Sequence, residues 1–258
     1  MVLFILFNYD KCSIEQWKTD QYDKSKKSSF INKLKRIGNV YEYNPIFYNF
    51  NKFNRGILNE KYSDNYKFSL DSINLENHCN KIFDDVKEID STFILISGSN
   101  GYIFAHTFAL LYEDYVSAII NINGGHSKDK IEQWLYQDKI GYISKIKNGE
   151  LKKLFENLDR KYQVNETICL LNNVVMYNIF KQYLKAYNKL QQLSCDIIIF
   201  TNLISSDHLL MLDKLKFCNE ISKKNTNVKI FNYLDKHQYL HFDIEKDILD
   251  IIKMFVIE

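Results

Sequence analysis

The stretch from residue 93 to residue 124 constrains the fold more than any other part of the chain. An apolar run at Phe93–Ile96 leads into a turn of small residues over 97–101, with the sequence Ser-Gly-Ser-Asn-Gly. A nearly apolar helical segment, Ile103–Leu111, follows, and a β-branched run begins at Val116. Short apolar runs suit strands buried on both faces of a parallel sheet. The stretch therefore predicts a strand, a tight turn, a helix and a second strand.

The same two patterns alternate through most of the chain. Strands that alternate with amphipathic helices indicate a right-handed, doubly wound α/β fold. We therefore expect a mainly parallel sheet of about six strands flanked by helices. The predicted strands are Val2–Phe7, Val40–Tyr43, Phe93–Ile96, Val116–Ile122, Ile197–Phe200 and Val228–Tyr233. One helix is predicted where Phe30, Leu34 and Ile37 share a face. The other predicted helices are Leu75–Val86, Ile103–Leu111 and Ile244–Phe255.

The alternation stops in one interval, where no strand-like run occurs and several amphipathic helices are predicted instead. We expect this interval, 127–193, to be a helical lid inserted into a core made of 1–126 and 194–258. A lid would cover the carboxyl ends of the strands, where ligands bind in open α/β sheets. The alternative is that its helices only add packing. The helical segments in the interval are Ile131–Trp134, Leu151–Leu158 and Val175–Leu193.

Composition excludes several classes of protein. The 258 residues include 34 basic and 32 acidic side chains, and this near-balance argues against nucleic acid or an anionic membrane as the main partner. The apolar run at Val2–Phe7 is too short for a signal peptide or a membrane span, so we expect a cytoplasmic protein. Five scattered cysteines lack zinc-site spacing and indicate reduced thiols. They are Cys12, Cys79, Cys169, Cys195 and Cys218.

The turn at 97–101 matches the nucleophile elbow G-x-S-x-G, with Ser97 in place of the first glycine. Small neighbours let such a turn hold the Ser99 hydroxyl above the sheet, at the amino end of the next helix. There the Asn100 amide and the helix dipole can stabilise an oxyanion. Two other interpretations are a glycine-rich turn that only packs the helix, and a phosphate loop. The patterns G-x-G-x-x-G and GK[ST] are absent, which disfavours the phosphate loop.

The residues after this turn carry a family resemblance. From Ala105 onward the chain resembles the "A..LA..YPD.V..LVLI" continuation of α/β-hydrolases, with Glu113 where proline usually stands. After the first strand, Ser13 and Trp17 agree with the family's "HG….S…W" run, although Asn-Tyr stands in place of His-Gly. The resemblance spans Val2–Phe255 and lacks the two antiparallel strands that often open the family's sheet. It implies an α/β-hydrolase fold.

The same resemblance implies a catalytic set in the family's order of nucleophile, acid and histidine. Ser99 takes the place of the nucleophile. Asp207, after the fifth predicted strand, takes the place of the acid. His237, between the last strand and the closing helix, takes the place of the base. The backbone amides of Asn100 and Asp10 occupy the positions of the oxyanion hole.

This set predicts a serine hydrolase that cleaves a small-molecule carboxylic ester or thioester, with no cofactor and no metal. An acyltransferase with the same residues is equally compatible. A catalytically degenerate binding protein is the alternative, and the altered run Asn8-Tyr9-Asp10 favours it. We assign no role to His106 or His126, and we expect Asp213 inside a helix. His241 falls where the family often has a second, non-catalytic residue.

Overall fold

The computed structural model describes residues 2–7, 17–18, 25, 27–43, 74–138, 179–203, 208–223, 225–234 and 240–256. Its strands are β1 (Leu3–Phe7), β2 (Asn39–Tyr43), β3 (Phe93–Gly98), β4 (Val116–Ile122), β5 (Asp196–Leu203) and β6 (Val228–Leu234). They form one sheet in the order β2-β1-β3-β4-β5-β6, and every pair is parallel. The expected α/β class and sheet of about six strands are thereby confirmed.

Burial explains why these segments form strands. All residues of β1 and β3 are buried, as expected for parallel strands with helices on both faces. The edge strand β6 alternates between partly buried and exposed residues, so its apolar run is less continuous. Two strands extend beyond the predicted runs, to Gly98 in β3 and to Leu203 in β5, because hydrogen bonding to neighbouring strands continues there.

Helices cover the sheet on both sides. One layer, with α2, α3, α4, α5 and α6, packs on one face, and α1 and α7 pack with Trp17 on the other. The Asn74 side chain caps α2 by accepting a bond from the Asn77 backbone N–H at 3.1 Å. The helices are α1 (Phe30–Leu34), α2 (Leu75–Val86), α3 (Tyr102–Leu111), α4 (Lys128–Asp138), α5 (179–186), α6 (His208–Ser222) and α7 (Glu245–Val256).

Two of these helices, α4 and α5, lie in the interval predicted to be a lid. They are helical as expected, and a 3-10 turn at Tyr187–Gln192 follows α5. Both contribute to the core, since Ile131 of α4 and Tyr183 of α5 are fully buried in the same cluster as α3. The predicted helix at Leu151–Leu158 lies outside the described residues. The division into core and lid stays a prediction.

The strand order defines the edge at which a ligand would bind. From β1 the chain moves to β2 on one side, and from β3 it moves through β4, β5 and β6 on the other. The direction therefore reverses between β1 and β3. In open α/β sheets, ligands bind outside the carboxyl ends of the strands at such a point. The residue that follows β3 at this edge is Ser99.

The described residues also bear on the expectations from composition. Cys79, Cys195 and Cys218 form no disulfide, and the remaining two cysteines lie outside the described part. Among the helices described, none combines the length and apolar character that crossing a membrane requires.

Candidate active site

Ser99 has the backbone conformation of a nucleophile elbow. It follows β3 directly, begins a 3-10 turn over Ser99–Gly101, and leads into α3. Its φ angle is 43°, and Asn123 is the only other described residue besides glycine with a positive φ. The left-handed region costs an L-residue roughly 1–2 kcal/mol, so the surrounding structure must hold Ser99 there. Strain at this position matches the chemistry that its sequence motif predicts.

Close packing around the turn explains the need for small residues. Gly124, just beyond β4, lies against the elbow, and a Cβ built there would stand 2.6 Å from the carbonyl oxygen of Ser99. Any side chain at this position would push the two segments apart. The sequence does not mark Gly124 as part of the site, because its one signal is a place two residues after a buried strand.

Ser97, which replaces the first glycine of the motif, hydrogen-bonds to the neighbouring strand. Its side chain is buried and donates a hydrogen bond to Oδ1 of Asn121 on β4, at 2.7 Å. The Asn121 amide then donates to Nε2 of His106, at 2.8 Å, and the other ring nitrogen lies 2.8 Å from the Tyr183 hydroxyl. We call Ser97, Asn121, His106 and Tyr183 the buried chain.

The directions of these hydrogen bonds assign a tautomer to His106. Because Nε2 accepts from Asn121, the proton of the neutral ring is on Nδ1 and is donated to the Tyr183 oxygen. Burial lowers the pKa of His106 from 6.5 to about 3, so the ring is neutral at physiological pH. A buried, neutral imidazole between neutral partners holds neighbouring segments of the fold together.

His126 has different partners. Its Nδ1 lies 2.7 Å from Oδ2 of Asp213, on α6. The other oxygen of this carboxylate accepts from the Ser127 backbone N–H, at 3.1 Å, and from the Ser127 hydroxyl. Burial alone would raise the pKa of Asp213, but these hydrogen bonds hold that pKa below its usual range. We call His126, Ser127 and Asp213 the edge cluster. The position of Asp213 within a helix is confirmed, whereas its bond to His126 was not foreseen.

A buried lysine connects the ends of β4 and β5. Lys214 Nζ donates to the Asn202 carbonyl, at 3.0 Å, and to Oδ1 of Asn123. The Asn123 backbone N–H in turn donates to the carbonyl of Phe200, at 2.6 Å. These bonds hold Asn123 at a φ of 54° and so direct the chain from β4 towards Gly124 and the elbow.

The predicted site residues divide into two groups. Ser99 and Asn100 lie in the turn between β3 and α3, as expected. Asp10, Asp207 and His237 lie outside the described residues, so the triad and the oxyanion hole stay predictions. His241, expected to be non-catalytic, is fully buried and packs on Trp17 with ring centroids 5.0 Å apart. In the described part, no group of three or more His, Cys, Asp and Glu residues is placed to hold a metal ion.

Comparison with known proteins identifies the fold. No protein family model matches the chain, and no curated protein matches it. Solved structures do match over nearly its full length. An α/β hydrolase, MGS-M2, from a Medee basin deep-sea metagenome superposes with a TM-score of 0.58 at 12% identity, covering 99% of this chain and 89% of the other. A hydrolase from Oleispira antarctica, olei00960, gives 0.55 at 15% identity, with coverage of 99% and 90%.

Another match is a carboxylesterase structure from Nitrososphaera gargenis, with a TM-score of 0.50 at 15% identity and coverage of 99% and 89%. The sheet order, the elbow after β3 and these neighbours together establish the α/β-hydrolase fold. Identities this low show the fold and leave the chemistry to the residues of this chain.

Proposed function

We propose that this protein is a serine hydrolase that cleaves a carboxylic ester or thioester through an acyl-enzyme. Ser99 is the nucleophile, His237 the general base and Asp207 the residue that orients the imidazole. The substrate is a small acyl ester, and the reaction needs no cofactor.

One observation carries this proposal: Ser99 is held in a left-handed conformation between β3 and α3. A turn that only packed a helix would not require a serine at φ 43°, because glycine adopts this region without strain. Backbone strain that persists in a folded protein is typical of functional sites. The position of the turn at the switch point of the sheet adds to the argument.

The proposed reaction has two halves. In the first, Oγ of Ser99 attacks the acyl carbon while His237 takes its proton, and the leaving alcohol or thiol then receives that proton. In the second, His237 removes a proton from water, which attacks the acyl-enzyme and releases the acid. The backbone amides of Asn100 and Asp10 stabilise each oxyanion, and one such donor contributes roughly 3 kcal/mol. Asp207 fixes the tautomer of His237.

The position of each proposed residue in the chain supports these roles. Asp207 stands between the end of β5 and the start of α6, and His237 stands between β6 and the 3-10 turn that begins at Leu240. All strands of the sheet are parallel, so the ends of β5 and β6 lie at the same edge as the end of β3.

Fluorophosphonate labelling read by intact mass tests the proposal. Oγ of an activated serine displaces fluoride from phosphorus and leaves one covalent adduct. We expect one adduct on the wild type and none on Ser99→Ala or His237→Ala. Ser97→Ala is the matched control, since it removes a serine two residues away whose side chain is buried and bonded to Asn121. That variant is expected to keep the adduct.

The outcomes separate the two candidate functions. An adduct that depends on Ser99 and His237 justifies a screen of ester and thioester substrates. If the folded wild type gains no adduct, the hydrolase proposal fails. A binding protein without turnover then becomes the better account, as the replacement of the family's His-Gly by Asn8-Tyr9 would suggest.

A further inference from the structure

A second imidazole lies at the carboxyl edge of the sheet, and no step of the proposed reaction uses it. Gly124 lies against the carbonyl oxygen of Ser99, and His126 is two residues further along the chain. Two residues span at most about 7 Å, so the backbone of His126 stays within reach of a substrate bound at Ser99. The ring also lies beside Tyr102, one helical turn after the nucleophile, with centroids 6.2 Å apart.

The edge cluster fixes which nitrogen of His126 carries the proton. Asp213 accepts three hydrogen bonds, one from His126 and two from Ser127, and its pKa is held below the usual range. An ionised carboxylate can only accept, so Nδ1 of His126 must be the donor. In the neutral ring, Nε2 is then a hydrogen-bond acceptor with a fixed direction.

Nε2 is the ring nitrogen that Asp213 leaves unbonded. It forms no hydrogen bond with any residue in the described ranges, and the His126 side chain keeps 15% of its surface exposed. Trp134 of α4 packs edge to face on the ring, with centroids 4.5 Å apart, and the ring of Tyr102 flanks it. A partly exposed polar group beside aromatic side chains is typical of a small-molecule site, in which a few polar groups set specificity.

We propose that His126, held by Asp213, is a substrate-binding residue of the Ser99 site that accepts a hydrogen bond from the acyl group. It selects acyl chains that carry a hydroxyl or amide donor several atoms from the scissile carbonyl. This inference rests on the proposed hydrolase function and adds a substrate class to it.

A pair of synthetic esters tests the preference directly. The p-nitrophenyl esters of 6-hydroxyhexanoate and 6-methoxyhexanoate differ in one respect that matters here. The hydroxyl can donate a hydrogen bond, whereas the methoxy oxygen can only accept one. An acceptor at Nε2 therefore favours the hydroxy ester. We expect its kcat/KM to be about tenfold higher on the wild type, the usual effect of one unmade bond to a polar site group.

The variant Asp213→Asn separates a binding role from a packing role. The new amide keeps an oxygen for the two bonds from Ser127, while its NH₂ group faces Nδ1 of His126. The proton of the ring then moves to Nε2. This nitrogen now donates a hydrogen bond, which a methoxy oxygen can accept. The preference should therefore disappear or reverse. His126→Phe should treat the two esters alike, because it presents no nitrogen.

Asp129→Asn is the matched control. Asp129, on α4, forms an exposed ion pair with Lys216, on α6, so this change also removes a carboxylate at the contact between these helices. It should leave the tenfold preference intact. A wild type that is labelled by the fluorophosphonate but shows no preference, or an Asp213→Asn variant that keeps it, overturns this proposal alone. A wild type with neither labelling nor turnover overturns the proposed function as well.

Discussion

Two histidines that both pack on Tyr102 show how the same side chain serves different purposes. The ring of His106 lies 5.5 Å from that of Tyr102, and the ring of His126 lies 6.2 Å from it. His106 is fully buried, and both its nitrogens are bonded to neutral groups. His126 is partly exposed, and one nitrogen is bonded to a carboxylate. Partners and access distinguish the two, not the residue type.

The contrast extends to the groups around each ring. The buried chain connects β3, β4, α3 and α5 through side chains that carry no charge, so it contributes rigidity beneath the nucleophile. The edge cluster places an ionised carboxylate beside a partly exposed imidazole. In a protein interior, a polar group without a hydrogen bond lowers stability by more than a hydrogen-bonded one raises it. The buried chain is therefore expected to govern stability and the edge cluster to govern binding.

The largest expected difference between His106 and His126 is in the stability that the protein loses when each ring is removed. His106→Ala leaves a cavity and removes the partner of both Asn121 and Tyr183, so we expect a loss of about 3–4 kcal/mol. His126→Ala removes one of three donors to Asp213 at a partly exposed position, and should cost about 1 kcal/mol. Urea denaturation of both variants at pH 7 measures the two losses. Equal losses would contradict the division of roles.

Acid should destabilise the protein through His106. Its pKa is lowered from 6.5 to about 3 by burial, so folding favours the neutral ring. The free energy of unfolding that depends on the neutral ring is fully present above pH 6.5, and it is lost as the pH falls towards 3. Between pH 7 and pH 5 the loss is about 2 kcal/mol.

Comparison of wild type with His106→Leu at both pH values isolates this contribution. Groups that titrate in both proteins, such as His78, whose burial lowers its pKa to about 4, cancel in the difference. The free energy of unfolding of the variant should fall by about 2 kcal/mol less than that of the wild type. Parallel losses in the two proteins would show that His106 is not held neutral.

Alanine substitutions at two glycines test whether crowding beside Ser99 affects labelling more than crowding elsewhere in the sheet. A Cβ at Gly124 would stand 2.6 Å from the Ser99 oxygen, and a Cβ at Gly38 would stand 2.5 Å from the Val2 oxygen. Both alanine variants should lose about 1–2 kcal/mol of stability. Only Gly124→Ala should also slow fluorophosphonate labelling, by about tenfold or more, because it displaces the elbow. If Gly38→Ala slowed labelling equally, the effect would come from general destabilisation.

The smallest expected effect is at Ser97. Ser97→Ala removes one hydrogen bond of the buried chain, the bond to Asn121, and should cost about 1 kcal/mol. The rate of labelling should stay within a factor of two or so of the wild type, since no part of the edge cluster changes. Thermal denaturation and labelling of the same sample give both quantities. A large loss of labelling would connect the buried chain to the reaction.

Local patterns account for what could be predicted. The bounds of β4 and α2 agree with the predicted segments at both ends, because apolar runs and helical periodicity are properties of consecutive residues. The elbow was also predicted, since its small residues stand next to one another in the chain. The ends of β3 and β5 were predicted two and three residues short, because a strand ends where its neighbours stop pairing.

The two histidine networks could not be predicted in this way. His126 meets Asp213 across 87 residues, and His106 meets Tyr183 across 77. No spacing rule connects residues so far apart, and helical periodicity placed Asp213 in a helix without indicating its partner. The bonds depend on how α3, α5 and α6 pack against the sheet.

The sequence by itself determined the α/β class, a mainly parallel sheet of about six strands and the serine at the turn after β3, because each follows from residues that are near neighbours. The tertiary structure alone decided which histidine is sealed and which is accessible. Burial, and the choice between a neutral and a charged partner, arise only when distant segments pack together, and these two factors set the chemistry of an imidazole.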